Sequence, residues 1–146
     1  MEYYKELRKY VGHSPLILPG AVVLILNDQN EVLLQERSSG IFGLPGGLME
    51  LGESLEDTAR REVLEETGLH IDKLVLCHVY SGRDYYFEVP NGDAFYSVTA
   101  VYKTNEFIGA LSPDGIESIS LRFFNPNHLP EGILASYRTF IEYALL

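Results

Sequence analysis

With 146 residues, 46% hydrophobic and 22% charged, the chain has the size and composition of a single globular domain over residues 1–146, which excludes a disordered or fibrous protein. Its net charge of −10, from 11 basic and 21 acidic residues, repels nucleic-acid backbones and argues against a long nucleic-acid partner, while permitting a small nucleotide neutralised by metal. No apolar run reaches the ~18 residues of a membrane span, the start Met1-Glu2-Tyr3-Tyr4-Lys5 is too polar for a secretory signal, and the single Cys77 excludes an intramolecular disulfide or a thiolate metal cluster, so a cytoplasmic protein away from membranes is expected.

Residues 2–11 predict a short amphipathic helix stopped by Gly12. The apolar runs 21–26 and 32–35, separated by Asn27-Asp28-Gln29-Asn30, predict a β-hairpin. Ser54 followed three residues later by Asp57 is a capping-box start, and Gly68 sits where a left-handed residue ends a helix, so about four helical turns are expected between them. Further strands are predicted over 74–80, 85–89, 95–102 and 119–124, all rich in β-branched and aromatic residues. Cys77, within the first of these, reads as a packed core thiol. A Gly/Pro-free segment over 133–146, apolar at Leu134, Tyr137, Ile141 and Leu145, predicts a closing helix, and a mixed sheet flanked by helices is the simplest assembly.

The helix between Ser54 and Gly68 carries the chemistry. In steps of about 100° from Leu55, Ala59 falls at about +40°, Glu62 at about −20° and Glu66 at about +20°, so two carboxylates share the inward stripe. Glu65, at about −80°, and Arg61, at about −120°, meet along its edge. Carboxylates facing the protein cost several kcal/mol when unpaired and repel each other. Arg60 and Arg61 are expected to point away from the stripe. A divalent cation with oxygen ligands fits this deficit, with Mg²⁺ or Mn²⁺ favoured over zinc because no Cys/His cluster is present; a solvated acidic face is the competing reading.

Around this helix stand Gly47, five residues, Glu53, seven residues, and then Arg61-Glu62-Val63-Leu64-Glu65-Glu66-Thr67-Gly68-Leu69. The pattern resembles a complete Nudix box, and average residue frequencies put its chance occurrence on the order of 10⁻⁷ or less. Leu33-Leu34-Gln35-Glu36-Arg37 and Leu44-Pro45-Gly46-Gly47 extend the resemblance upstream, while Phe42 stands where many members of the family carry tryptophan.

The resemblance implies a Nudix-type α/β/α sandwich with a mixed β-sheet, and Mg²⁺-dependent hydrolysis of the diphosphate linkage in a nucleotide derivative. It implies Glu62 and Glu66 as principal metal ligands, Glu65 as a further one and the Gly47 carbonyl as a backbone ligand. Glu53 and Arg61 become a supporting pair. Glu117, in the turn-rich Pro113-Asp114-Gly115-Ile116-Glu117, is the candidate general base outside the box, against a plain solvated loop acid.

Arg37, beside the Gly46-Gly47 turn, is a candidate phosphate ligand or an ordinary surface arginine, and the glycines permit close backbone approach to substrate. Tyr80, Tyr85, Tyr86 and Phe87 form either a base-stacking platform or strand core, and Tyr85 stands where the family places a tyrosine in some dinucleoside polyphosphate hydrolases. The four histidines show no metal spacing. A homodimer is left open, and the alternative function is a binding or regulatory module on the same fold.

Overall fold

The continuous apolar run that opens the predicted hairpin forms the central strand of the molecule, because only a strand covered on both faces uses such a run. The computed structural model describes residues 2–146. Helix α1 (Tyr3–Val11) precedes β1 (Leu16–Ile25), β2 (Val32–Ser38), β3 (Ile41–Gly43) and β4 (Gly46–Leu48). Helix α2 (Leu55–Thr67) follows, then β5 (Val75–Tyr80), a 3₁₀ turn (Arg83–Tyr85), β6 (Tyr86–Glu88), β7 (Ala94–Thr104), β8 (Ser120–Phe124) and α3 (Ala135–Leu145).

One sheet runs β4-β1-β7-β5, with β6 added beside β7; a second runs β3-β2-β8. β1 and β7 are parallel and every other strand-to-strand ladder is antiparallel, so the five-stranded sheet is mixed. On β1, Ala21, Val23 and Ile25 meet Ala59 and Val63 of α2, while Val22 and Leu24 meet Phe140 and Ile141 of α3. That is the expected α/β/α sandwich. Burying Val23, Leu24 and Ile25 completely stabilises it by about 2 kcal/mol per side chain.

The predicted hairpin does not form. Both edges of β1 are taken, by β4 and by β7, so β2 keeps one bridge to it, Leu26 to Val32, and turns into the second sheet. The tight turn itself is present: the Asn27 side chain accepts from the amides of Gln29 (3.1 Å) and Glu31 (2.9 Å), and Asn30 adopts a left-handed φ of 58°. Cys77 is only partly buried, packed at the margin of the α3-side core. Among the described residues, no helix is long and apolar enough to cross a membrane.

Candidate active site

Helix α2 is built as its sequence dictates. The Ser54 hydroxyl accepts from the Asp57 amide (3.0 Å), the Asp57 carboxylate accepts from the Ser54 amide (3.2 Å), and Gly68 closes the helix at φ 80°. Its inward face carries Thr58, Ala59, Val63, Glu66 and Thr67 into the core.

Glu66 is 1% exposed and held at both oxygens: the Gly46 amide donates to Oε2 (2.9 Å) and the Gln35 side-chain amide to Oε1 (3.3 Å). Burial, reinforced by the adjoining Glu117 carboxyl, pushes its pKa well above the ordinary carboxylate range. Glu62, one turn earlier, is also raised by burial, which outweighs the opposing pull of Arg61. Gly47 lies against it, and a Cβ added there would stand 2.5 Å from the Glu62 carboxyl carbon, so any other residue would push that carboxylate from its present place.

Glu117 reaches this pair from a loop whose shape has a local cause. The Asp114 carboxylate accepts from the amides of Ile116, Glu117 and Ser118, each at 2.9 Å, and the Ser118 hydroxyl donates to the buried Gln35 side chain (2.8 Å). One oxygen each of Glu62, Glu66 and Glu117 then lie within 4.8 Å of one another. Two of the three carboxylates are desolvated and mutually repulsive, so the cluster has the hard oxygen donors and charge deficit that suit a divalent cation, and among the described residues no sulfur or imidazole joins it.

Arg61 does not point away from the stripe. Its guanidinium curls back to grip Glu53 with two nitrogens (2.6 and 2.9 Å), Glu62 (2.8 Å) and the Leu48 carbonyl (3.0 Å), with Glu65 at 3.6 Å. A long flexible stem lets the charged head leave the direction set by its Cα. The Arg61 contact holds the Glu53 carboxyl down to about pKa 2, with further donation from the Glu50 amide and the Thr58 hydroxyl. Arg60 faces elsewhere, onto the Asp72 carbonyl.

Arg37, Gly46, Gly47, Arg61, Glu62, Glu65 and Glu117 line one cleft of about 620 Å³; of the other expected site residues, Glu66 is buried behind it and Glu53 reaches it through Arg61. Arg37 lies over the Tyr137 ring at 5.6 Å and donates to the Leu44 carbonyl (2.9 Å). Glu65 lies at the rim with 58% of its side chain exposed, outside the three-carboxylate cluster. The Gly47 carbonyl is turned to β1: a Cβ on Gly20 would stand 2.5 Å from it, so the ladder occupies it. Alternation along β4 puts the backbone polar groups of Gly46 on the other side, where its amide meets Glu66.

The aromatic group divides. Tyr80 and Tyr85 pack on Phe140 of α3, while Tyr86 and Phe87 lie half-exposed against Tyr96 and Phe95. Phe42, in the position of the family's tryptophan, packs edge-on to Phe124. Sequence reading missed Gln35, Asp114 and Ser118; the only local signal was the Asp114-Gly115 turn pair, since a buried glutamine in an apolar strand announces no partner.

Comparison with known proteins agrees with this geometry. The chain is similar to an ADP-ribose pyrophosphatase of Methanocaldococcus jannaschii, 34% identical over 133 residues that cover 87% of this chain and 72% of that one. It is also similar to a Bacillus subtilis protein assigned as an 8-oxo-dGTP diphosphatase, 34% identical over 112 residues that cover 76% and 68%. Its fold matches the crystal structure of a MutT NUDIX hydrolase from Burkholderia pseudomallei with a TM-score of 0.75 and 25% identity, covering 89% of this chain and 98% of that one. The NUDIX domain model matches residues 17–144, nearly the whole of the described structure and all of the carboxylate site, and the chain therefore belongs to the NUDIX family.

Proposed function

We propose that this Nudix pyrophosphohydrolase cuts the diphosphate linkage of a small nucleoside diphosphate derivative, with Mg²⁺ (or Mn²⁺) held by Glu62, Glu66 and Glu117. The observation that carries the reading is the convergence of these three carboxylates within 4.8 Å, two of them with pKa raised by burial. When bound, the cation supplies charge neutralisation of the diphosphate and a more acidic water.

The chain's own residues do the rest. The Gly46 amide and Gln35 fix Glu66, and Gln35 is fixed in turn by Ser118, so the Glu66 carboxylate is oriented before any ligand arrives. Arg61, anchored by Glu53, holds Glu62 from the side and keeps a positive charge next to the cleft. Glu65 stands at the rim, and Arg37, half-buried in the cleft wall, is a cation for the phosphate away from the carboxylates. The Gly46 carbonyl replaces that of Gly47 as the backbone oxygen on offer. Glu117 is exposed on its loop and so can accept a proton as well as hold a cation.

Hydrolysis of ADP-ribose, nucleotide sugars, dinucleoside polyphosphates and nucleoside triphosphates, each with Mg²⁺ and with chelator, tests the reading and names the substrate. Mg²⁺-dependent release of a nucleoside phosphate from at least one of them is the expected outcome. Binding without turnover would instead make the chain a ligand-binding module. The site lies within one chain, so monomer and homodimer both accommodate it, and a cytoplasmic setting goes with nucleotide substrates.

A further inference from the structure

Next to the cleft lies α1, a helix with no fully buried residue that is fastened at a few points. The Tyr3 amide donates to the Glu50 carboxylate (2.6 Å), and the terminal nitrogens of Arg8 donate to the carbonyls of Gly12 (2.9 Å), Ser14 (2.6 Å) and Ala94 (2.6 Å). Under this roof lies a cavity of about 280 Å³ with apolar walls from Leu18, Leu48, Val89 and Phe95. Tyr4 and Leu48 line both this cavity and the carboxylate cleft, so the two spaces share a wall.

The polar end of the cavity is incomplete. Arg8 Nε is buried and has no hydrogen-bond partner among the described residues; the nearest carboxylate oxygen, on Asp93, stands at 3.7 Å, beyond hydrogen-bond reach. The other nitrogens of that guanidinium are committed to backbone carbonyls, so it cannot swing to close the gap. A buried donor held without an acceptor is costly to keep and marks a place where a ligand atom completes the pairing.

We infer that this cavity seats the nucleobase of the substrate, with Tyr4 as the wall between base and diphosphate and the Arg8 Nε–H donating to a ring nitrogen or carbonyl of the base. The inference rests on the reading of the carboxylate cleft as the diphosphate site. Apolar walls from Leu18, Leu48, Val89 and Phe95, with Arg8, Asn91 and Asp93 also lining the space, suit a flat heteroaromatic ring that has apolar faces and polar edge atoms. A phosphate would meet the Asp93 carboxylate at the polar end.

The test is calorimetric binding, in Mg²⁺, of AMP, GMP, CMP and UMP against ribose 5-phosphate, which has the phosphate and sugar but no base. In the wild type at least one nucleotide should bind about tenfold or more tighter than ribose 5-phosphate. Val89 lines the cavity but not the cleft, and it is 39% exposed with its turn held through the backbone, so Val89→Trp fills the chamber without disturbing the carboxylates. Val89→Trp should erase most of the tenfold margin while leaving ribose 5-phosphate affinity unchanged. Tyr4→Ala should reduce the margin and Tyr4→Phe should keep it. No margin for any of the four nucleotides, or a margin that survives Val89→Trp, would overturn the inference. Failure of the carboxylate site is read separately, as absence of a Mg²⁺-induced melting shift in the wild type.

Discussion

Glu66 is carried into the core and held there by one backbone amide and one side-chain amide, with no cationic side chain among the described residues bonded to it. Such a carboxylate weakens the metal-free fold, and its retention is explained by chemistry rather than stability. Replacing Glu66 or Glu62 by Gln should therefore lower kcat by a factor on the order of 10³ or more while the metal-free protein still folds. A variant keeping a tenth of wild-type turnover would remove that residue from the metal site. For Glu117→Gln, a large loss in kcat with Mg²⁺ affinity retained would identify the base, whereas a parallel loss of both would identify a ligand. Glu53 behaves oppositely. Its folded-state pKa is depressed to about 2 by Arg61, so its contribution is present above the unfolded value of about 4.3 and is lost as pH falls through 2. Wild type should exceed Glu53→Gln in unfolding free energy by on the order of 2 kcal/mol at pH 6, and the two should converge toward pH 2. A gap that stays constant across that range would show that Arg61 does not discriminate the ionised form.

At the scale of elements, β4 decides how close α2 comes to the sheet. Gly47→Ala should reduce activity by at least tenfold, because its Cβ falls on the Glu62 carboxyl, while the β1 to β4 ladder and the melting temperature survive nearly unchanged. A fully active Gly47→Ala enzyme would show that Glu62 has another productive position. Helix α2 was legible in the sequence because its signals are local: Ser54 and Asp57 cap it, Gly68 ends it, and the 3.6-residue period fixes which carboxylates face inward. Strands β3 and β4, three residues each, carry no readable period, and the Gly46-Gly47 strand looks like a turn until β1 is beside it. The pairing of β1 with β7, across some 80 residues of sequence, displaced a hairpin that adjacency alone favoured. Glu117 was legible as an acid on a turn, but its delivery to Glu66 depends on Asp114 and Ser118, whose partners are fixed only by the fold.

For the whole molecule, a net charge of −10 and a desolvated carboxylate cluster describe a protein left electrostatically incomplete until it binds a cation. A ligand that binds only the native state stabilises it by RT ln(1 + [L]/Kd), which for millimolar Mg²⁺ and a dissociation constant near ~0.1 mM is about 1.4 kcal/mol, or a few degrees in melting temperature. The most direct test is the melting temperature of wild type and of the Glu62→Gln/Glu66→Gln double variant, each with Mg²⁺ and with NaCl of equal ionic strength. A rise of a few degrees is expected with Mg²⁺ in the wild type, a smaller one with NaCl because screening acts weakly on buried charges, and almost none with Mg²⁺ in the double variant. A wild type indifferent to Mg²⁺, or a double variant that responds equally, would contradict that expectation and move the metal off this helix.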